Sequence, residues 1–239
     1  MSLDSAKLIN KEVVSIINIA EQLKLPFLQI LREVEALRLE NKSDLNNIET
    51  SAEYALSLLD NYLLSIRLSN KELEFNSEPV SISHILYESA RLLEKLAKQY
   101  GVFIELDING KFGPVEANGL GLQSAIFSAG SSLIEAVSAN TSDKSSKRLY
   151  LASHKSRYGI VIGAYIDNMI ITNKILKQGR ALMGISRQPF PTIIPSAGAG
   201  ILVADRIMKA MNLDLKSSRH NKLYGIGAVL HSNEQLQLV

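Results

Sequence analysis

Two successive heptad patterns near the amino terminus constrain the fold of this chain most strongly. Apolar residues recur at alternating steps of three and four in two segments, first at Val13, Ile16, Ala20, Leu23, Phe27, Ile30, Val34 and Leu37, then at Leu45, Ile48, Ala52, Ala55, Leu59, Tyr62 and Ile66. This spacing places each set on one stripe of an α-helix. The polar residues 41–44 separate the two segments, so the sequence predicts an antiparallel helical hairpin.

The hairpin carries more apolar surface than two helices can bury against each other. Further apolar residues widen both stripes, at Ile17, Ile19, Leu28, Leu31, Leu58, Leu63 and Leu64. Two hairpins related by a twofold axis would bury this surface as a four-helix bundle. We therefore expect a homodimer. The alternative is that the hairpin packs on the rest of its own chain.

Composition excludes several classes of function. The 239 residues carry a net charge of +2, contain no cysteine and are 46% hydrophobic. Balanced charge argues against nucleic-acid binding, and the lack of cysteine excludes disulfides, thiol catalysis and cysteine-ligated zinc. The amino terminus lacks a signal-peptide pattern, and no apolar run approaches the roughly 18 to 20 residues that span a bilayer. We expect a cytoplasmic protein without membrane insertion.

A proline lies inside the first predicted helix, where it should kink the axis. It ends the segment Glu21-Gln22-Leu23-Lys24-Leu25-Pro26. This segment resembles the His-Glu-Leu-Arg-Thr-Pro box of dimeric histidine kinases, in which a proline follows the phosphoacceptor histidine by five positions. Residues 47–61 resemble the second helix of the same dimerisation and phosphotransfer domain. The resemblance covers about residues 8 to 70.

The resemblance places Glu21 at the acceptor position and Gln22 at the position of the neighbouring acid. A phosphoacceptor must be a nucleophile, and its partner must orient it and take its proton. The carboxylate of Glu21 repels a phosphoryl group, and the amide of Gln22 cannot act as a base. We therefore expect no autophosphorylation at this site. Glu21 is interpreted as an exposed helix residue, with mimicry of a phosphorylated state as the alternative.

A polar linker at residues 77–79 divides the chain into two predicted domains, a helical hairpin over residues 1–76, called the stem below, and a second domain over residues 77–239, called the lobe. The lobe pattern predicts helices at 80–100, 118–140, 173–183 and 200–211, and strands at 102–108, 148–153 and 158–167. Asn109-Gly110 predicts a hairpin turn, and 213–217 is predicted to pair with 225–231. Helices on one side of a mixed sheet make an α+β sandwich.

This order of elements is similar to the ATP-binding lobe of the GHKL (Bergerat) superfamily, which includes histidine kinases, gyrase and MutL. The family's asparagine box, which holds Mg²⁺ and phosphates, has Ser128 and Ser132 at its two asparagine positions. The adenine-reading box keeps Asp167 but has Met169 and Ile171 in place of glycines. The second glycine box keeps Gly198 and Gly200 before a helix, where backbone amides can cradle a phosphate.

The combined pattern predicts a degenerate histidine-kinase-like signalling protein without a bound cofactor. We expect it to bind a response-regulator receiver domain or a histidine kinase of a two-component system through a stem patch of Ile17, Glu21, Lys24 and Leu28. Two alternatives stay open. One is a kinase that still binds Mg-ATP through Asp167, Gly198 and Gly200. The other is a histidine phosphotransferase of a phosphorelay that uses another acceptor.

The histidines offer no evident site in the sequence. His84, His154, His220 and His231 are scattered and lack the spacing of metal ligands. Each is interpreted as a surface or capping residue, and no metal site is expected.

Overall fold

The structure is a computed structural model that describes residues 23, 25–37, 45–139, 147–167, 170–183, 185–186, 189–190 and 198–231. In the stem, helix α1 covers residues 25–37 and helix α2 is Leu45–Ser69. The predicted turn at 41–44 and the positions of Ile17, Glu21, Gln22 and Lys24 lie outside the described residues.

The lobe alternates helices and strands. Its helices are α3 (Ile82–Gln99), α4 (Gly119–Ala139), α5 (Asn173–Leu182) and α6 (Ala199–Ala210). Its strands are β1 (Glu78–Val80), β2 (Phe103–Asn109), β3 (Val115–Ala117), β4 (Arg148–Ser156), β5 (Gly159–Ile166), β6 (Lys216–His220) and β7 (Leu223–Leu230). Helix α3 begins where the Ser81 side chain accepts a hydrogen bond from the His84 amide, a typical N-cap.

Five strands form the main sheet in the order β2-β4-β5-β7-β6, and β1 pairs with β3 in a small second sheet. Strand β2 runs parallel to β4, and the other pairs are antiparallel. Helices α3 and α4 pack on this sheet, and α6 packs on α4. The predicted α+β sandwich is therefore confirmed.

Two details of the predicted topology are wrong. Asn109-Gly110 does not join a hairpin, because β2 pairs with β4 while β3 belongs to the small sheet. The terminal hairpin is also shifted, and it joins Lys216–His220 to Leu223–Leu230. Asn221 accounts for this shift, since it adopts φ 54° at the turn, and asparagine tolerates that left-handed conformation better than most residues.

Helix α4 is long and apolar enough to cross a membrane, with a mean hydropathy of 1.2 over its most apolar window, contrary to the sequence interpretation. Within the fold, however, 83% of that window is buried. A helix that is hydrophobic around its whole circumference is expected at the centre of a lobe, between the sheet and an outer helix.

Helix α2 packs against the lobe of its own chain, chiefly against α6. Its buried residues are Ser51, Tyr54, Ala55, Leu58, Tyr62, Ser65 and Leu68. Only Ala55 and Tyr62 of these belong to the predicted heptad stripe, and Leu45 of that stripe is 67% exposed. Since α2 is apolar on more than one side, the lobe covers one side and leaves another to solvent, including Leu56 and Leu63.

Candidate functional site

Ser128 and Ser132, the two positions of the asparagine box, lie one turn apart on α4 and face the start of α6. Their exposed fractions are 1% and 0%, respectively. A Cβ atom added to Gly200 would lie 2.2 Å from the Ser128 carbonyl oxygen and 2.5 Å from Ser132 Oγ. The two helices are therefore in direct contact where the family resemblance places Mg²⁺ and phosphate, and only glycine fits at position 200.

The other predicted lobe residues lie on different elements. Gly198 caps the amino terminus of α6 in the left-handed conformation, with φ 58° and ψ 20°. Asp167 directly follows β5 and is exposed. The structure thus joins Ser128, Ser132 and Gly200 in one contact, with Gly198 two residues before it.

The burial of the two serine hydroxyls bears on the magnesium ligands that the family resemblance predicts here. Mg²⁺ requires oxygen ligands that are accessible in a near-octahedral arrangement. Both serine hydroxyls are buried at the helix contact and have no hydrogen-bond partner within the described residues. A metal between α4 and α6 would require the helices to separate.

Among the predicted patch residues of the stem, the described one is Leu28. Its side chain is 63% exposed on α1, beside the half-exposed Phe27. This exposure is compatible with a contact surface, and it leaves the role of the patch a prediction.

Polar contacts that the sequence analysis missed hold the stem against the lobe. Tyr54 Oη donates a hydrogen bond of 2.6 Å to Glu135 Oε1, and Gln99 Nε2 donates one of 2.8 Å to Ser51 Oγ. Burial, and then the Glu135 carboxylate, hold the pKa of Tyr54 well above its ordinary value. The phenol therefore stays protonated and remains a donor. Tyrosine and glutamate 81 positions apart carry no local sequence signal.

A second missed cluster fixes α5 against α6. The Arg180 guanidinium donates to both oxygens of the buried Asp205 carboxylate, at 3.0 and 2.7 Å, and also to the Leu215 carbonyl oxygen. Lys209, one turn after Asp205, donates to the same carboxylate at 2.7 Å. The hydrogen bond to Asp205 raises the pKa of Arg180. The spacing of Asp205 and Lys209 was a visible helix-pair signal.

The interpretation of the histidines as scattered is wrong for two of them. The Nδ1 atoms of His154 and His220 lie 3.0 Å apart, and His220 Nε2 lies 2.7 Å from Asp107 Oδ2. His84 is exposed at the start of α3, as interpreted. No group of three or more metal-ligating side chains occurs within the residues that the structure describes.

The sequence itself matches no protein-family model and no curated protein. The structure does resemble solved proteins. Helices and lobe together superpose on the Acinetobacter baumannii histidine kinase AdeS with a TM-score of 0.55 at 14% identity, covering 90% of this chain and 98% of AdeS.

Two other structures match with similar coverage of this chain. Full-length ShkA, solved in complex with AMPPNP, gives a TM-score of 0.55 at 14% identity over 98% of this chain. Because the match covers 47% of ShkA, this chain spans about half of that protein's length. A bacterial phosphotransferase gives a TM-score of 0.50 at 9% identity, covering 95% of this chain and 97% of the phosphotransferase.

At these identities the comparisons concern the fold alone. They agree with the order of elements described above, a helical stem followed by a mixed sheet with helices on one face. The chain therefore has the fold of a histidine kinase, a helical stem followed by an α+β lobe.

Proposed function

We propose that this chain is a catalytically degenerate member of two-component signalling that acts in the cytoplasm by binding other proteins. It forms a homodimer through its stem and docks a response-regulator receiver domain or a histidine kinase. The histidine-kinase-like fold supports a role in two-component signalling. The loss of catalysis and the binding role rest on side chains of the stem and the lobe.

The contact of Ser128 and Ser132 with Gly200 carries this proposal. A kinase lobe needs space for the nucleotide phosphates and ligands for their metal, and here that position is occupied by backbone and buried hydroxyls. Serine also reaches less far than asparagine toward a metal. We therefore propose that the lobe holds no Mg-ATP.

The attachment of the stem to the lobe supports the same proposal. A lobe that delivers phosphate to a stem helix has to change its position relative to that helix. Here Tyr54, Ala55 and Leu58 of α2 are buried, and the hydrogen bond from Tyr54 to Glu135 spans the contact. A buried contact of this kind favours one fixed arrangement, as expected for a binding scaffold.

Receiver titration tests the binding proposal. Purified receiver domains from the same cell are titrated onto the full chain and onto Glu21→Lys, with Leu92→Lys on α3 as the matched control outside the stem patch. We expect one receiver to bind the chain and the control, and to bind Glu21→Lys more weakly. Failure of every receiver and every histidine kinase of that cell to bind would remove the proposal.

Calorimetry with Mg-ATP tests the proposed loss of nucleotide binding. Saturable binding would stabilise the fold by about 2.7 kcal/mol at a ligand concentration one hundred times the dissociation constant. We expect no heat of binding and no shift of the unfolding midpoint. A saturable isotherm would favour the kinase alternative, with Asp167, Gly198 and Gly200 as nucleotide contacts.

A histidine phosphotransferase is the second candidate function. Similarity to a bacterial phosphotransferase over nearly the full length of both chains, with a TM-score of 0.50, favours it. Glu21 cannot serve as the acceptor, so a relay requires a histidine elsewhere. Transfer of label from a phosphorylated receiver to the chain tests this candidate.

A further inference from the structure

The main sheet is curved enough for side chains of its two opposite edges to meet. Strands β2 and β6 are the edges of the sheet, yet His220 Nε2 on β6 lies 2.7 Å from Asp107 Oδ2 on β2. His154 on β4 extends this series of contacts, because its Nδ1 atom lies 3.0 Å from His220 Nδ1. Asp107, His220 and His154 are called the relay below.

The face of the sheet that holds the relay also carries Tyr165, Gly163 and Gly227. The Tyr165 side chain lies over Gly163 and Gly227, because Cβ atoms added at these positions would lie 2.9 and 3.2 Å from its Oη. The Tyr165 ring lies 5.3 Å from the His220 ring and 6.4 Å from the His154 ring, measured between centroids. His220 is 2% exposed, so packing holds its ring in place.

When both histidine rings are neutral, one assignment of protons satisfies both short contacts of the relay. The Asp107 carboxylate can only accept, so His220 Nε2 carries a hydrogen and donates it. His220 Nδ1 is then an acceptor in the neutral ring, and His154 Nδ1 must donate to it. Asn221 donates to the same Asp107 oxygen at 3.1 Å, and its 3.4 Å approach to His220 Nε2 is the longer contact.

This assignment leaves the second ring nitrogen of His154, Nε2, without a hydrogen. A neutral imidazole nitrogen with a free lone pair is a nucleophile. The His154 side chain is half-buried, in contrast to the buried His220. The relay therefore supplies, on the lobe, the nucleophile and the base that Glu21 and Gln22 cannot supply in the stem.

We propose that His154 Nε2 accepts a phosphoryl group from an acyl phosphate, with His220 and Asp107 as positioning residues. The inference rests on the phosphotransferase candidate above and names its acceptor. The Nε2 lone pair attacks phosphorus, an N–P bond forms, and the acyl P–O bond breaks, with the carboxylate leaving with the electron pair. The Nδ1 proton of His154 passes to His220 Nδ1, and Asp107 stabilises the resulting imidazolium.

Basic side chains are close to the relay residues in sequence. Lys155 belongs to β4 and Arg219 belongs to β6, while Arg157 and Lys222 lie at the turns that follow these two strands. The guanidinium of Arg157 lies 4.4 Å from the ring centroid of Tyr158, and that of Arg219 lies 4.8 Å from the ring centroid of Tyr224. Successive strand residues point to opposite faces, so Lys155 and Arg219 lie on the face away from the relay. Arg157 and Lys222 are the cations at the turns that can favour the approach of a dianionic phosphate.

Labelling of the full chain tests the inference with two donors. One arm uses ³²P-acetyl phosphate, and the other uses a purified receiver domain that carries ³²P-aspartyl phosphate. We expect acid-labile, base-stable label on His154, identified by mass spectrometry, and none in His154→Asn. His84→Asn, an exposed histidine outside the relay, should label like the unmodified chain. If acetyl phosphate labels His154 and the receiver domain does not, the donor is a small acyl phosphate. If the receiver domain labels His154, the donor is a protein.

Asp107→Asn separates the relay from a merely structural role. Loss of the anion should slow labelling of the folded protein by about 100-fold, in the range of general base catalysis, and should shift the acid limb of its pH profile to lower pH. Equal rates for Asp107→Asn, label retained in His154→Asn, or no label on His154 from either donor would overturn the inference. Receiver binding that persists without labelling would leave the binding proposal standing, which distinguishes the two failures.

Discussion

The hydroxyl of Tyr54 on the second stem helix donates a hydrogen bond of 2.6 Å to the carboxylate of Glu135 on α4, at the centre of the contact between stem and lobe. Tyr54 is 3% exposed and Glu135 is 5% exposed. Tyr100 lies close to the same carboxylate, and burial, then Glu135, raise its pKa to about 12. The carboxylate is thus buried among phenols that remain protonated.

Replacing Tyr54 by phenylalanine removes the donor and keeps the ring. The Glu135 carboxylate then loses its short hydrogen bond inside the protein, so we expect the free energy of unfolding to fall by about 1–3 kcal/mol. Urea unfolding followed by circular dichroism measures the change. Tyr87→Phe is the matched control, because Tyr87 is 59% exposed and its hydroxyl can reach water. A Tyr54→Phe protein as stable as the control would contradict a structural role for this bond.

Gly200→Ala probes the closed contact between α4 and α6. The added methyl group would meet the Ser128 carbonyl oxygen at 2.2 Å, and a backbone atom cannot rotate away. We expect a loss of about 1–3 kcal/mol, the range for overpacking. The same substitution at Gly119 is the control, since its Cβ would approach the Glu78 and Val80 side chains at 3.3 and 3.4 Å.

Thermal unfolding of the two variants decides the outcome. Gly119→Ala should lie within about 1 kcal/mol of the unmodified chain, because alanine also favours the helix. If both variants unfold alike, α6 does not lie against Ser128 as described, and the nucleotide site is not closed by this contact.

The local elements of the lobe were predictable because each leaves a signal in adjacent residues. Helix α3 has the Ser81 cap at its start and Gly101 at φ 65° after its end, and its bounds differ from the prediction by two residues or fewer. The pairing of β2 was not predictable in this way. Asn109-Gly110 is a strong local turn signal, but long-range pairing with β4 decided the sheet.

The site was less predictable than the fold because its contacts join distant residues. The sequence identified Ser128, Ser132 and Gly200 as separate positions, and only the packing of α4 on α6 shows that they touch. Asp107 and His220 lie 113 positions apart, on opposite edges of the sheet. The hydrophobic periodicity and the spacing of residues in the sequence cannot reveal a side-chain contact that depends on the curvature of a five-stranded sheet.

Asp205→Asn tests the attachment of α5 to α6. The amide oxygen of the asparagine can still accept a hydrogen bond from Arg180. The negative charge with which both Arg180 and Lys209 pair is lost. Since Asp205 is buried, we expect a loss of about 1.5–3 kcal/mol, the range for hydrogen bonds to charged groups. Asp214→Asn is the control, because Asp214 pairs with Lys216 at an exposed position where ion pairs contribute about 0–1 kcal/mol. If urea unfolding shows the same loss of unfolding free energy for Asp205→Asn and Asp214→Asn, the buried network contributes no more than the exposed ion pair.

The relay predicts a pH dependence of stability. Burial, then the adjacent His220, lower the pKa of His154 in the fold, although Asp107 opposes this effect. In the unfolded chain the ring titrates near its ordinary value of about 6.5, so the unfolded chain binds the proton more readily. The contribution of His154 is therefore present above about pH 6.5 and is lost as the pH falls below that value.

His154→Gln isolates this contribution. Tyr165 and His220 face the ring from β5 and β6, and Asp107 faces His220 from β2, so these groups stay in place in the variant. We expect the free energy of unfolding of the unmodified chain to fall more steeply between about pH 7 and pH 5 than that of His154→Gln. His84→Gln should follow the unmodified chain. Parallel curves for all three proteins would show that His154 titrates alike in both states.

The stem leaves an apolar surface that its own lobe does not cover. Leu31 on α1 is 58% exposed, and Leu56 and Leu63 on α2, which lie seven positions apart on one stripe, are 62% and 47% exposed. Clusters of large exposed apolar side chains mark protein interfaces. A second stem is the partner that we propose for this surface, because two hairpins can then complete a four-helix bundle.

Charges placed on this surface should separate the subunits. We expect the double variant Leu31→Lys and Leu63→Lys to elute as a monomer in size-exclusion chromatography with light scattering, while the unmodified chain elutes as a dimer. Each lysine would be buried without a partner in the bundle, at a cost that exceeds the gain from association. Leu92→Lys should remain dimeric, because Leu92 lies on α3 and its exposure of 46% is close to the 47% of Leu63. A monomeric unmodified chain would instead leave this surface to a different protein, and a dimer that tolerates both lysines would place the twofold contact elsewhere on the molecule.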